Sequence, residues 1–257
     1  MGWLEYGCMK KILAFFCGVL FWSGSATGAV EDTGLRLVDV GVRAPERPRV
    51  VVVDTPGVAR GSFLFWEHSL EEAGFDVWRM AFSAKVDHPE KLLAAIRGLD
   101  EVWTEESYSV LAHGYGARWV VDADLNADKM ILVGAPLGPQ LTPTLAAVSP
   151  RPVQDGLPWP SSLLGPLEQE PLALSLAQAY LEFSTGVSAV DPSAPVMIFA
   201  SGRDVVGPPE CNRLPSQNWS DREFFRLDSF SFQEASHGEL LRDPVLLRKI
   251  IHSLRIQ

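Results

Sequence analysis

Residues 110–117, Val110-Leu111-Ala112-His113-Gly114-Tyr115-Gly116-Ala117, pass from an apolar strand pattern through a tight turn into a helical pattern. Ala112 and Gly116 are small, as they must be where a turn brings strand and helix backbones too close for larger side chains. Downstream stand an acid, Asp204, in the loop Ser201-Gly202-Arg203-Asp204, and a histidine, His237, in Ala235-Ser236-His237-Gly238-Glu239-Leu240. A histidine turns a hydroxyl into a nucleophile by taking its proton, and an acid holds that histidine in the right tautomer. The centre of the turn is Gly114, which has neither oxygen nor sulfur to activate.

The elements that must position these residues follow from hydrophobic patterning. Val50 to Val53 is a continuous β-branched run of the kind buried on both faces of a sheet, ending at Asp54-Thr55-Pro56-Gly57. Phe63 to Ala73 repeats apolar residues at helical spacing with Gly74 at the C-cap, and Phe75 to Phe82 resumes as a strand. Pro89 opens a helix bearing Leu92, Leu93, Ile96 and Leu99 on one side. Tyr108 to Ala112 is a strand, Ala117 to Leu125 a helix, and Met130 to Val133 a buried strand. Gly134 to Pro195 is rich in Pro, Leu, Ala and Ser and carries a helix from Pro171 to Phe183; it is expected as an insertion over the sheet, not a second domain. Strands at Val196–Ala200 and Glu223–Leu227 and a helix at Pro244–Leu254 close the pattern, while Glu31 to Arg49 reads as a polar, Pro-containing approach. Strands alternating with helices imply an α/β class with a mostly parallel, doubly wound sheet. The expected organisation is a leader over 1–29, starting at Met9 if the first eight residues are an upstream extension, then one α/β domain over 30–257 with a lid-like insertion at 134–195.

The turn at 112–116 resembles the nucleophile elbow of the α/β-hydrolases, with Gly114 at the nucleophile position. Val196 to Asp204 looks like the late strand and loop that deliver that family's acid, and Ala235 to Leu240 looks like its histidine loop; the order elbow, acid, histidine is the family's order. The resemblance covers roughly residues 50 to 254 and implies that Asp204 and His237 are remnants of a catalytic triad. It also marks a second departure. The loop after the first buried strand normally begins with His-Gly and lends an N–H to the oxyanion hole, whereas this chain has Asp54-Thr55-Pro56-Gly57, where a carboxylate would disfavour an oxyanion and Pro56 has no N–H. Asp54, Thr55, His113 and Tyr115 are the expected substrate-binding positions around the turn.

Plainer roles stay open for these residues. Asp204 could cap its own loop and pair with Arg203, and His237 could be an ordinary loop histidine. Tyr115 brings the best remaining hydroxyl near the site, although its backbone N–H is the stronger contributor. Ser107 and Ser109 lie too far down the strand to reach the turn. His68, His88 and His252 have no metal-ligand spacing and are expected to face solvent, so no metal and no cofactor is assigned. Trp159, Leu163, Leu164, Leu172, Leu174 and Phe183 would suit either an apolar lid or simple packing on the sheet.

The 257 residues are 47% apolar and 21% charged, enough for a packed core, and a net charge of -10 without a basic stripe excludes nucleic acid as an expected partner. Lys10 and Lys11, the apolar run Ile12 to Trp22 and the small residues Ser23 to Ala29 have signal-peptide order, with cleavage after Ala26 or Ala29; the alternative is an uncleaved anchor. No transmembrane segment is expected in the mature chain, and the leader implies a location in the periplasm or outside the cell. Cys8 and Cys17 fall in the leader, leaving Cys211 alone. Asn218-Trp219-Ser220 is a glycosylation sequon, meaningful only in a eukaryotic secretory pathway. The expected function is that of a non-hydrolytic or weakly active homologue that binds a small apolar ligand or a protein partner. Its rivals are a true ester or peptide hydrolase using water activated by His237 and Asp204, or Cys211, and a structural subunit of an envelope complex.

Overall fold

The computed structural model describes residues 35–41, 44–83, 85–138, 156–157, 159, 161–183, 186, 188, 190, 192–209 and 235–256. Six strands form one sheet: β1 (Leu35–Asp39), β2 (Arg49–Val53), β3 (Asp76–Phe82), β4 (Ser109–His113), β5 (Lys129–Val133) and β6 (Val196–Phe199). Their spatial order is β1-β3-β2-β4-β5-β6, parallel throughout except that β1 runs antiparallel to β3. The central strands are buried because both of their faces are covered: every residue of β2 is buried, as are Val110 to His113 of β4.

Between the strands lie α1 (Leu64–Glu72), α2 (Pro89–Val102), α3 (Gly114–Ala123), α4 (Ser161–Leu164), α5 (Leu174–Phe183) and α6 (Pro244–Arg255). Right-handed crossovers put α1 and α2 on opposite faces, since the chain leaves β2 for β3 in one direction and returns from β3 to β4 in the other. Accordingly α1 packs with α6, and α2 packs with α3 and α5. Local chemistry fixes the ends. Gly74 takes φ +90 after α1, Pro89 opens α2, and the Asp243 carboxylate accepts from Val245 N (2.7 Å) and Leu246 N (3.0 Å) at the start of α6.

The doubly wound, mostly parallel sheet is as expected, with three local corrections. Residues 35–39 are a strand, although the Glu31–Arg49 stretch reads as irregular: Leu37 and Val38 are half-buried and gain regularity by pairing with Met80 and Arg79 of β3. The third helix begins at Gly114, not Ala117, so turn and helix are one continuous feature. The insertion's helix begins at Leu174 instead of Pro171. The segment Glu223–Leu227, Cys211, the sequon at Asn218 and the apolar run Ile12–Trp22 lie outside the described residues. Among the described residues, no helix is long and apolar enough to cross a membrane.

The topology locates the site. The chain turns one way after β2 and the other way after β4, so the loops at the carboxyl ends of these adjacent strands diverge and leave a crevice. Asp54-Thr55 follows β2 there, and His113-Gly114 ends β4.

Candidate active site

Gly114 has φ +56, in the left-handed region that glycine enters without the steric cost a Cβ would add. A Cβ at this position would lie 2.6 Å from His237 Nε2 and 2.9 Å from its Cε1. The imidazole therefore occupies the volume that a nucleophile's side chain would need. On its other edge, His237 Nδ1 lies 2.9 Å from both Asp204 Oδ1 and Oδ2, and Asp204 Oδ1 also accepts from Val206 N (2.8 Å) and Gly207 N (3.1 Å). Asp204 thus caps its own loop and pairs with His237 at once. An Nδ1–H donor leaves Nε2 as the basic nitrogen, and that nitrogen faces Gly114.

Sequence reasoning missed a second glycine that makes this pairing feasible. Gly134, directly after β5, has φ +58, and a Cβ on it would run into the Asp204 carboxylate and come within 3.1 Å of His237 Nδ1. Its position immediately after a buried strand was the available signal.

His113, expected at the edge of the site, is instead the last residue of β4 and fully buried. Its Nε2–H donates to the His237 carbonyl oxygen (2.9 Å), and the two rings stand 4.1 Å apart at 35°. Burial first, and the proximity of His237 second, hold its pKa well below the ordinary range, so the ring is neutral. The Thr55 hydroxyl donates to the His113 carbonyl oxygen (2.7 Å) and fills the space where a Cβ on Gly116 would sit 2.6 Å away. Thr55 therefore ties the two loops of the crevice together.

Asp54 does not face the turn. Its carboxylate is gripped by Arg79 of β3, with Arg79 Nε donating to Oδ1 at 2.7 Å and Nη2 to Oδ2. The expected repulsion of an oxyanion by Asp54 is corrected accordingly: the charge is matched by a buried guanidinium. Tyr115 is also buried; its ring stacks on Tyr180 at 4.0 Å and 4°, and its hydroxyl accepts from Trp159 Nε1. Tyr180 donates to the Pro56 carbonyl oxygen (3.1 Å). These rings pack between the elbow and the described part of the insertion. Trp159, Leu164 and Leu172 are buried, as simple packing requires, whereas Leu174 is exposed.

The insertion also fastens both sides of the crevice. Leu164 O accepts from Gly238 N (2.6 Å), Glu168 O from Ala59 N (2.8 Å), and Gly57 O from Glu170 N (2.9 Å), with Val58 and Gln169 forming an antiparallel bridge. Of the remaining candidates, His68, His88 and His252 are exposed, and Ser107 donates to Asp128 far from the turn. Among the described residues, no grouping of three or more His, Cys, Asp or Glu side chains is placed to hold a metal ion.

No family model matches the chain, and no curated protein matches it. Solved structures do. A monoacylglycerol lipase from Paleococcus ferrophilus aligns with a TM-score of 0.58 at 20% identity, over 86% of this chain and 98% of that one. A lipase in an open form aligns with a TM-score of 0.54 at 15% identity, over 86% and 91%. An esterase from Exiguobacterium antarcticum gives 0.51 at 16% identity, over 86% and 94%. At identities this low what is held in common is the course of the backbone, and by that course the chain has the fold of the α/β-hydrolase superfamily.

Proposed function

We propose that this protein is a non-hydrolytic α/β-hydrolase homologue that acts by binding. The observation that carries this reading is the placement of the His237 imidazole in the volume a side chain at 114 would take. Without an oxygen or sulfur there, the usual acyl-transfer route has no nucleophile, and loss of the nucleophile from such a triad costs several orders of magnitude in rate. Tyr115, Trp159 and Tyr180 already occupy the space beside the turn, so a small apolar ligand would have to displace packed rings. That favours a protein partner over a small ligand. The wild-type protein is expected to resist a fluorophosphonate probe and to show no turnover of short acyl esters above that of His237→Ala. Stoichiometric labelling at any serine would sink the proposal.

One observation favours a second reading, a hydrolase that activates water. The Asp204–His237 pair is intact and its acid is held by two backbone N–H groups, an arrangement that would serve a general base. In that case ester cleavage would be measurable in wild type and lost in both His237→Ala and Asp204→Asn.

The order of Lys10-Lys11, apolar run and small residues supports export from the cytoplasm. Protein recovered from an exporting host is expected to begin near Thr27 or Val30 by N-terminal sequencing. A product retaining Phe15 to Trp22 would refute cleavage.

A further inference from the structure

Glu67 lies on the buried side of α1 and is 1% exposed, yet neither of its carboxylate oxygens has a hydrogen-bond partner among the described residues. The cation beside it is Arg79, whose Nε is 3.6 Å from Glu67 Oε1. That guanidinium is already committed to the fork with Asp54. Two buried carboxylates therefore face one buried guanidinium. The charges acting on Glu67 come from Arg79 on β3, Asp54 after β2 and Arg60 in the turn before α1; His68 and Glu71 of α1 and Asp39 of β1 line the cavity of about 260 Å³ that Glu67 also borders.

An ionised carboxylate without a donor is expensive in such a place, and the ordinary resolution is to keep the proton. We propose that the Asp54–Arg79–Glu67 cluster holds one proton in the folded protein, that Glu67 carries it, and that its loss on raising the pH loosens α1 beneath the elbow. Burial raises the Asp54 carboxyl as well, but both donors of the fork oppose this, whereas Glu67 receives no hydrogen bond among the described residues. Burial raises the Glu67 carboxyl above its ordinary value, and the Arg79 and Arg60 charges offset only part of this. The route to the elbow is direct. Trp66, the neighbour of Glu67 on α1, meets the His113 ring edge-on at 6.1 Å, and Thr55, the neighbour of Asp54, is bonded to the His113 carbonyl.

The sign of the pH dependence follows. A carboxyl whose folded pKa is raised contributes stability that is complete below its unfolded value and is lost as the pH rises through its folded value. Across that window the wild-type folding constant is expected to fall, relative to Glu67→Gln, by up to about tenfold per pH unit. Infrared spectra of the wild type should show a protonated-carboxyl band that bleaches over the same window and is absent from Glu67→Gln. Hydrogen exchange of the α1 amides above that window should be faster in the wild type than in Glu67→Gln at matched pH. Parallel pH profiles for the two proteins overturn the proposal. If Glu67→Gln does not fold, the wild-type spectrum decides alone: a folded protein whose spectrum shows no protonated-carboxyl band bleaching at any pH above the ordinary glutamate range overturns it as well.

Discussion

Gly114→Ser is expected to lower the folding stability by about 2–4 kcal/mol. One part is backbone strain, because φ +56 is a conformation that costs a residue with a Cβ on the order of 1 kcal/mol or more. The other part is overpacking. The new Cβ would start 2.6 Å from His237 Nε2, and the imidazole cannot swing aside freely while Nδ1 is bonded to Asp204. Forcing extra volume into a packed site costs typically about 1–3 kcal/mol. Gly114→Ala separates structure from chemistry, since it brings the same Cβ without the hydroxyl. Both variants should lose similar stability, measured as denaturant midpoints at unchanged m-value. Only the serine variant should gain slow labelling by a fluorophosphonate probe, because only it offers an oxygen to His237. Unchanged stability in both would show that position 114 has room for a side chain and that the non-hydrolytic reading lacks its support.

Asp204→Ala is expected to cost more, about 3–5 kcal/mol. The carboxylate is buried and accepts from His237 Nδ1, Val206 N and Gly207 N. Truncation would take this buried acceptor from three donors at once, and a buried donor left unsatisfied carries a penalty of roughly 1–3 kcal/mol before relaxation. Asp204→Asn should lose less, because its carbonyl oxygen can still accept from the backbone. If Asp204→Ala unfolds at the wild-type denaturant midpoint, the acid is not holding this corner of the molecule together.

Which features could be read from sequence depends on how local their causes are. The elbow was legible because Ala112 and Gly116 are small for reasons of close backbone approach that act within a few residues. The buried strand at Val50–Val53 declared itself through β-branched composition. The strand at Leu35–Asp39 did not, since an edge strand with Arg36 and Asp39 exposed has no strong alternation and is fixed by its long-range pairing with β3. The partner of Asp54 was also hidden. Arg79 stands between Trp78 and Met80 in the run Val77 to Phe82, whose other members are apolar, and a charge in such a run signals a buried ion pair without naming its other member. The same holds for the aromatic filling beside the turn. Trp159 was visible as an apolar residue of the insertion, but whether it lines a cavity or fills one depends on packing across the sheet edge.

The strap from Leu164 to Glu170 has a kinetic meaning. Its backbone bonds join it to Gly57, Ala59 and Gly238, partners far from it in the chain, and contacts of that kind form only after the entropy of closing long loops has been met. The seat of His237 against Gly114 therefore belongs to the late stage of folding, after the central strands have paired. In the native protein the amides of Ala59, Glu170 and Gly238 are therefore expected to exchange as one cooperative unit, faster than those of the central strands.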